Sequence, residues 1–156
     1  MKVRNIQSED YIAIHSVLNE WWGGRNMADM LPKLFFIHFQ ETSFVIEEDG
    51  EIVGFLCGFL SQTYKNEAYV HFIGVNPKYR RKGIASTLYS YFFDAVRVNH
   101  RHIVKAVTSS VNKGSIQFHQ EIGFEIEVGD EVVDGVSVHT NYDGNGENRV
   151  SFVKRV

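Results

Sequence analysis

A cluster of basic residues stands directly before a glycine near the middle of the chain. Arg80, Arg81 and Lys82 precede Gly83, and an apolar run with helical spacing follows. The segment before the cluster reads as a strand that stops at Pro77, since proline has no amide for a sheet ladder. A loop between a strand and a helix directs backbone amides and the positive helix end at one point, which suits phosphate. On these residues alone, a solvated basic turn is an equal alternative.

The elements around this loop alternate between strand and helix patterns. Alternating or β-branched segments predict strands at 2–7, 43–47, 52–61, 68–75, 103–108, 124–128 and 149–154. Apolar residues at helical spacing predict helices at 8–22, 31–39, 83–96 and 112–122, the first capped within 8–10. The turn at 48–50 predicts an antiparallel hairpin. The phosphate loop therefore lies between a strand and the third helix.

Composition restricts the classes of function. The length of 156 residues predicts one domain over 1–156. The net charge of -3 argues against a general nucleic-acid-binding protein, which would usually be basic. Cys57 is the only cysteine, so disulfides and cysteine-based zinc sites are excluded. No apolar run reaches the roughly 18 residues of a membrane span, and the first residues lack a signal-peptide core. We expect a cytoplasmic protein without a membrane partner.

Two segments resemble one enzyme family. The segment 75–85, VNPKYRRKGIA, resembles the hydrophobic-x-Pro-x-Tyr-Arg-x-x-Gly-x-Gly/Ala signature of the GCN5-related N-acetyltransferases (GNAT), whose loop holds the pyrophosphate of acetyl-coenzyme A. The segment 112–124, NKGSIQFHQEIGF, is similar to the later Asn-x-x-Ala-x-x-Phe-Tyr-x-x-x-Gly-Phe block. The resemblance implies an α/β (α+β) GNAT fold, with a mixed sheet of six to seven strands and about four helices. Its parallel strands, here 68–75 and 103–108, would splay apart to form the acyl-CoA cleft.

The resemblance also implies acetyl-CoA as cosubstrate and requires no metal. Residues 72–75 of the strand would contact its pantetheine arm, and the backbone amides of the loop 80–86 would bind its pyrophosphate. Three residues of the segment 112–124 would complete the site. Asn112 has an alternative role as a helix cap, and Ser115 as a small residue that permits close approach. The implied cofactor residues are Phe72, Ile73, Gly74, Val75, Arg80, Arg81, Lys82, Gly83, Ile84, Ala85, Ser86, Asn112, Ser115 and Phe118.

The reaction implied is direct attack of an amine on the thioester, with a base for the amine and an acid for the thiolate. His119 stands where the family most often has the tyrosine acid, so it is predicted either as that acid or as a spectator. Strand alternation places residues 69, 71 and 73 on one face, which makes His71 the predicted base unless it is a satisfied core or surface histidine. The missing tyrosine and strand carboxylate leave an alternative function, a catalytically weak acyl-CoA-binding sensor or accessory module.

The acceptor is predicted to be an amine of a small molecule or a peptide. Trp22 and Arg25 follow the first helix, where this family commonly shapes its acceptor pocket, and would suit an amine that carries a carboxylate or phosphate. Tyr69, His139 and Tyr142 are further candidates, with Asp143 beside them, although a solvated hairpin tip is the alternative for 138–149. His139 and Asp143 lack a third ligand for a metal site. A homodimer is possible from the resemblance, whereas the sequence fixes neither the acceptor nor the acyl length.

Overall fold

The computed structural model describes residues 1–156, in the order strand, helix, hairpin and then alternating elements. Short 3-10 turns occupy Ala28–Met30, Gln40–Thr42 and Pro77–Tyr79. The strands and helices are β1 Lys2–Asn5, α1 Asp10–Trp21, α2 Leu34–His38, β2 Phe44–Glu48, β3 Glu51–Leu60, β4 Glu67–Val75, α3 Ile84–Val98, β5 Ile103–Thr108, α4 Lys113–Glu121, β6 Glu125–Ile126, β7 Glu131–Val133, β8 Val136–Val138 and β9 Val150–Arg155. None of the helices is both long and apolar enough to cross a membrane.

One mixed sheet organises the molecule. Seven strands lie in the order β1-β2-β3-β4-β5-β9-β6, and β7 with β8 forms a separate hairpin. Every neighbouring pair in the large sheet is antiparallel except β4 and β5, which are parallel. The predicted mixed α/β architecture is confirmed. Asp49 and Gly50 both have positive φ in the β2–β3 turn, as a tight hairpin requires.

Two apolar layers cover the two faces of the sheet. On one face α3 places Ile84, Leu88 and Phe92 against β3, and Gly54 and Gly58 allow the close approach because a Cβ at either residue would meet those side chains within 2.6 Å. On the other face α1 and α2 bury a second cluster that includes Leu18, Phe36, Phe55 and Phe72. The sheet is therefore enclosed by helices, and its open region lies where the parallel strands part.

A β-bulge in β4 changes which side chains face which layer. Cys57 pairs with Phe72 and Gly58 pairs with Val70, so His71 is an extra residue opposite β3. Val70 belongs to the α3-side core, Phe72 to the α1-side core, and Ile73 packs on the α3 side again. The prediction that 69, 71 and 73 share a face is therefore wrong for residue 73, because the bulge shifts the alternation.

Three further boundaries differ from the predictions. Leu31 has a non-helical backbone, as expected for a residue that precedes a proline, so the predicted helix 31–39 shortens to α2. The cap predicted within 8–10 is not observed, because the N-cap residue Glu9 makes no side-chain bond to the helix; the side chain of Asp10, the first residue of α1, accepts the amide of Gln7 at 2.7 Å instead. The predicted strand 124–128 is shorter in the structure, where only the two residues of β6 pair with β9. The tail also folds β7 and β8, which were not predicted.

Candidate functional site

The basic loop opens into the N-terminus of α3. The Asn76 side chain accepts the amide of Lys78 at 3.0 Å, and the 3-10 turn from Pro77 leads to an extended Arg80. Arg81 and Gly83 both have positive φ, at 64° and 75°. The first helical bond is donated by Thr87 to the Gly83 carbonyl, so the amides at 84–86 have no partner within the helix. The loop thus presents free amides beside cations.

Gly83 leaves open space where a ligand would meet these amides. A Cβ built at Gly83 would have no heavy atom within 4 Å. Its left-handed backbone also favours glycine, since other residues rarely adopt that conformation. Lys82 does not line the cavity beside this loop, and its Nζ lies 5.2 Å from the ring centroid of Tyr79. The cradle therefore fits a polyanion approaching the backbone, with Arg80 and Arg81 rather than Lys82 at its side.

Two cavities meet beside this loop. The first, called the outer groove, measures about 1220 Å³ and runs between the basic loop, the end of α1 and α4. All of the predicted cofactor residues line it except Phe72 and Lys82. Those that do are Ile73, Gly74, Val75, Arg80, Arg81, Gly83, Ile84, Ala85, Ser86, Asn112, Ser115 and Phe118.

The second cavity, called the inner cleft, measures about 720 Å³. It continues from the outer groove between β4 and β5 toward the loop before β9. Six residues line both spaces and define the junction: Trp22, Arg25, Ile73, Asn112, Ser115 and His119. Ligands in the outer groove and in the inner cleft would therefore be adjacent at this junction.

The parting of two parallel strands creates the junction. The β4–β5 register begins at Glu67 with Ile103 and ends at Val70 with Ala106. β4 nevertheless continues to Val75, paired only with β3, and β5 continues to Thr108, paired only with β9. One edge of 71–75 is consequently free to pair with an extended ligand, as an unpaired strand edge does.

His71 is held at the wall of the inner cleft by the bulge. Its Nε2 lies 2.6 Å from the carbonyl oxygen of Met30, and its ring stacks on Phe35 at 4.4 Å with an interplanar angle of 8°. A carbonyl oxygen only accepts, so Nε2 carries a hydrogen, and in the neutral imidazole the lone pair is therefore on Nδ1. The imidazole is therefore oriented by one nitrogen and has no protein partner at the other.

His119 has both ring nitrogens occupied. Its Nδ1 donates to the Ser115 carbonyl at 2.7 Å, and its Nε2 accepts from the Tyr89 hydroxyl at 2.6 Å. The ring is 3% exposed and stacks on Phe152 at 4.5 Å. Burial lowers the pKa of His119 and raises that of Tyr89, so both groups are neutral at physiological pH. Tyr89 was not predicted, because on α3 it reads as one more residue of the apolar stripe.

Asn112 caps the helix that carries His119. Its side-chain oxygen accepts the Ser115 amide at 3.1 Å, so the alternative predicted for it, a helix cap, is observed. Asn112 still lines both the outer groove and the inner cleft. Phe118, which borders only the outer groove, packs against the α3-side core.

The predicted acceptor residues separate into three groups. Trp22 and Arg25 lie at the junction, and Tyr69 lines the inner cleft. Tyr142 does not line the cleft, but its hydroxyl lies 2.9 Å from that of Tyr69, whose pKa is raised by burial and by this bond. His139 lines neither cavity and has its Nε2 enclosed without a partner.

Charged residues at the far end of the inner cleft were missed from sequence, apart from Asp143. Arg149 lies between Asp143, at 2.7 Å, and Glu147, at 3.4 Å, and all three line the cleft. Arg25 is exposed at the junction and belongs to no ion pair. The only cation of the cleft without a protein carboxylate is thus the one nearest the outer groove. No three potential metal ligands among His, Cys, Asp and Glu lie together.

Comparisons with known proteins agree with this geometry. The family model for the "Acetyltransferase (GNAT) family" matches residues 2–124. An uncharacterized N-acetyltransferase of Methanocaldococcus jannaschii is 36% identical over 90 residues, 55% of this chain and 40% of that protein. An L-2,4-diaminobutyric acid acetyltransferase of Virgibacillus pantothenticus is 30% identical over 74 residues, 47% of this chain and 46% of that protein. The chain thus matches less than half the length of these two relatives.

A solved structure shows the same fold with a ligand. A putative acetyltransferase from Salmonella typhimurium, solved with its cofactor acetyl-CoA, superposes with a TM-score of 0.71 at 19% identity. The match covers 99% of this chain and 92% of that chain. At this identity the likeness concerns the fold alone.

Proposed function

Because the chain belongs to the GNAT acetyltransferase family, we propose that it is an N-acetyltransferase that moves the acetyl group of acetyl-CoA to an amine. Residues 1–156 would serve as one acyltransferase domain. The observation that carries the proposal is the end of β4–β5 pairing at Val70, which leaves a free strand edge between the outer groove and the inner cleft. An extended cosubstrate and an amine would meet at that edge.

The residues of the outer groove fit acetyl-CoA. The amides at 84–86 and the guanidinium groups of Arg80 and Arg81 would hold the pyrophosphate, with Gly83 leaving room for it. The edge at 71–75 would pair with the pantetheine arm. Acetyl-CoA, when bound, supplies the thioester, and the protein supplies position, hydrogen bonds and a proton acceptor.

His71 is the proposed general base. Its Nε2–H is fixed on the Met30 carbonyl, so Nδ1 remains available to take the proton of the acceptor ammonium or attacking amine, directly or through a water. Backbone amides near Ile73 would stabilise the negative charge that develops on the carbonyl oxygen during attack.

His119 has two possible roles, and one variant separates them. As the proposed acid it must be cationic to protonate the departing sulfur, and burial lowers its pKa below the ordinary value of about 6.5, so that this form is already scarce at pH 6.5. An acid role therefore predicts a native kcat that falls as the pH rises through and above the lowered pKa, and a low kcat without this fall in His119→Gln. If His119 instead only positions the Tyr89 hydroxyl, kcat of His119→Gln should stay within about threefold of native, because the glutamine amide oxygen can still accept a hydrogen bond from that hydroxyl. The pH profile of kcat for both proteins decides.

The proposed acceptor is a small amine that carries a carboxylate. Arg25 is the cation at the junction without a protein partner, and a charge-assisted bond to a carboxylate would satisfy it. Asp143 and Glu147 at the far end suit a second ammonium group, although both already contact Arg149. The name of the Virgibacillus relative, an L-2,4-diaminobutyric acid acetyltransferase, describes a molecule of this kind.

A matched pair of acceptors tests this proposal. 2,4-Diaminobutyrate and 1,3-diaminopropane differ by one carboxylate, so we expect the native protein to favour the first in kcat/KM. Arg25→Ala should raise KM for the first about tenfold, the loss of one charge-assisted bond, and leave the second unchanged. CoA release would be followed for both acceptors. An equal effect of the variant on both amines would contradict a carboxylate contact at Arg25.

A further inference from the structure

We propose that Trp22 is the wall that limits the length of the transferred acyl group, which makes acetyl-CoA the preferred donor over longer acyl thioesters. The proposal rests on the acyltransferase function and deepens it. It starts from the position of Trp22, whose indole lines both the outer groove and the inner cleft. The acyl group must occupy this junction, since the cosubstrate arrives from one side and the amine from the other.

Trp22 is the largest apolar side chain at the junction. Ile73 is the only other apolar residue there, and the bulge turns it toward the α3 layer, whereas Trp22 stands on the α1 side. The remaining four junction residues are polar or charged. A growing alkyl chain that leaves the unpaired strand edge toward the α1 side therefore meets the indole first.

The half-buried indole is held by packing contacts with β4. A Cβ at Gly74 would lie 2.9 Å from Cη2 of Trp22, so the ring rests directly on the backbone of β4. It also packs edge-on against Phe72 at 5.2 Å, and Phe72 stacks on Phe55 in the buried α1-side core. Because packed cores deform little, this wall has a fixed position.

The backbone holds Trp22 from the other side. Trp22 directly follows α1 as its C-cap, and its amide donates to the Asn19 carbonyl at 3.2 Å, while the next amide, of Gly23, donates to the Glu20 carbonyl at 3.1 Å. Gly23 and Gly24 follow with positive φ and turn the chain away. The position of the Trp22 ring therefore depends on two features. The end of α1 places its backbone, and the absence of a side chain at Gly74 lets the ring contact β4.

The test compares acetyl-, propionyl-, butyryl- and hexanoyl-CoA as donors to one amine. In the native protein each added methylene should lower kcat/KM about tenfold, because a rigid pocket discriminates by roughly that factor. Trp22→Ala should raise the butyryl-to-acetyl ratio of kcat/KM by at least about tenfold. Trp22→Phe keeps an aromatic wall of smaller size and should give an intermediate ratio. Tyr64→Ala removes an exposed aromatic ring that lines neither cavity, so its chain-length ratio should equal that of the native protein.

Calorimetric titration of acetyl-CoA and butyryl-CoA provides a readout independent of turnover. Tighter relative binding of butyryl-CoA to Trp22→Ala supports the proposal. An unchanged ratio in a folded Trp22→Ala that still binds acetyl-CoA overturns it while the acetyltransferase function stands. If Trp22→Ala does not fold, Trp22→Phe decides by the same ratio. Absence of any acyl-CoA binding to the native protein would overturn both proposals.

Discussion

Gly83→Glu should lower the affinity for acetyl-CoA by at least about 100-fold, roughly 3 kcal/mol of binding free energy. The new side chain would enter the open space beside the amides at 84–86 and place a carboxylate where the pyrophosphate binds. The carboxylate and the pyrophosphate are both negatively charged and would repel each other, and the new side chain would also block the approach of the pyrophosphate to the backbone amides. Isothermal titration calorimetry of acetyl-CoA measures the change.

Gly50→Glu is a matched control for backbone strain. Gly50 has φ of 78°, close to the 75° of Gly83, and a Cβ there also meets nothing within 4 Å. It lies in the β2–β3 turn, away from both cavities. Both variants should lose about 1 kcal/mol of folding stability from the left-handed backbone, whereas only Gly83→Glu should lose acetyl-CoA. Equal affinities for the two variants would show that the loop does not hold the pyrophosphate.

His71→Gln should reduce kcat by about 100-fold to 10,000-fold, the usual contribution of a positioned base. The glutamine amide can still donate to the Met30 carbonyl, so the wall of the inner cleft keeps its hydrogen bond. It cannot accept a proton from the amine. Affinity for acetyl-CoA should remain within about twofold of native, since His71 lines only the inner cleft.

His38→Gln serves as the control for this substitution. His38 is exposed at the end of α2 and lines neither cavity, so kcat should not change. Steady-state rates at saturating acetyl-CoA and amine give the comparison. A His71→Gln protein with native kcat would mean that water or another group removes the proton.

Local patterns carried the predictions that held. The loop before α3 was recognisable because its proline, cations and glycine are contiguous, and the strand 103–108 has the predicted bounds in the structure. Both depend on residues within a few positions of one another. The helical stripe of α3 likewise reports one continuous buried face. These features position the outer groove, which explains why twelve of the fourteen predicted cofactor residues line it, while their contact with acetyl-CoA stays a prediction.

The inner cleft depends on features that a local pattern does not encode. The bulge at His71 follows from the pairing of β4 with β3, and nothing in the alternation of β4 alone reveals the extra residue. Tyr89 reaches His119 only because α3 and α4 pack together, 30 residues apart in sequence. Arg149 comes to the cleft because β9 is inserted beside β5. Long-range strand pairing placed His71 and Arg149, and helix packing placed Tyr89.

Transfer of acetyl to an amine is the central claim, and amine-dependent CoA release by the native protein tests it most directly. We expect free CoA to appear from acetyl-CoA only when an acceptor amine such as 2,4-diaminobutyrate is present, in equal amount with an acetylated amine identified by mass spectrometry. Tight acetyl-CoA binding without CoA release, across amines with and without a carboxylate, would contradict the claim and leave an acyl-CoA-binding sensor as the function.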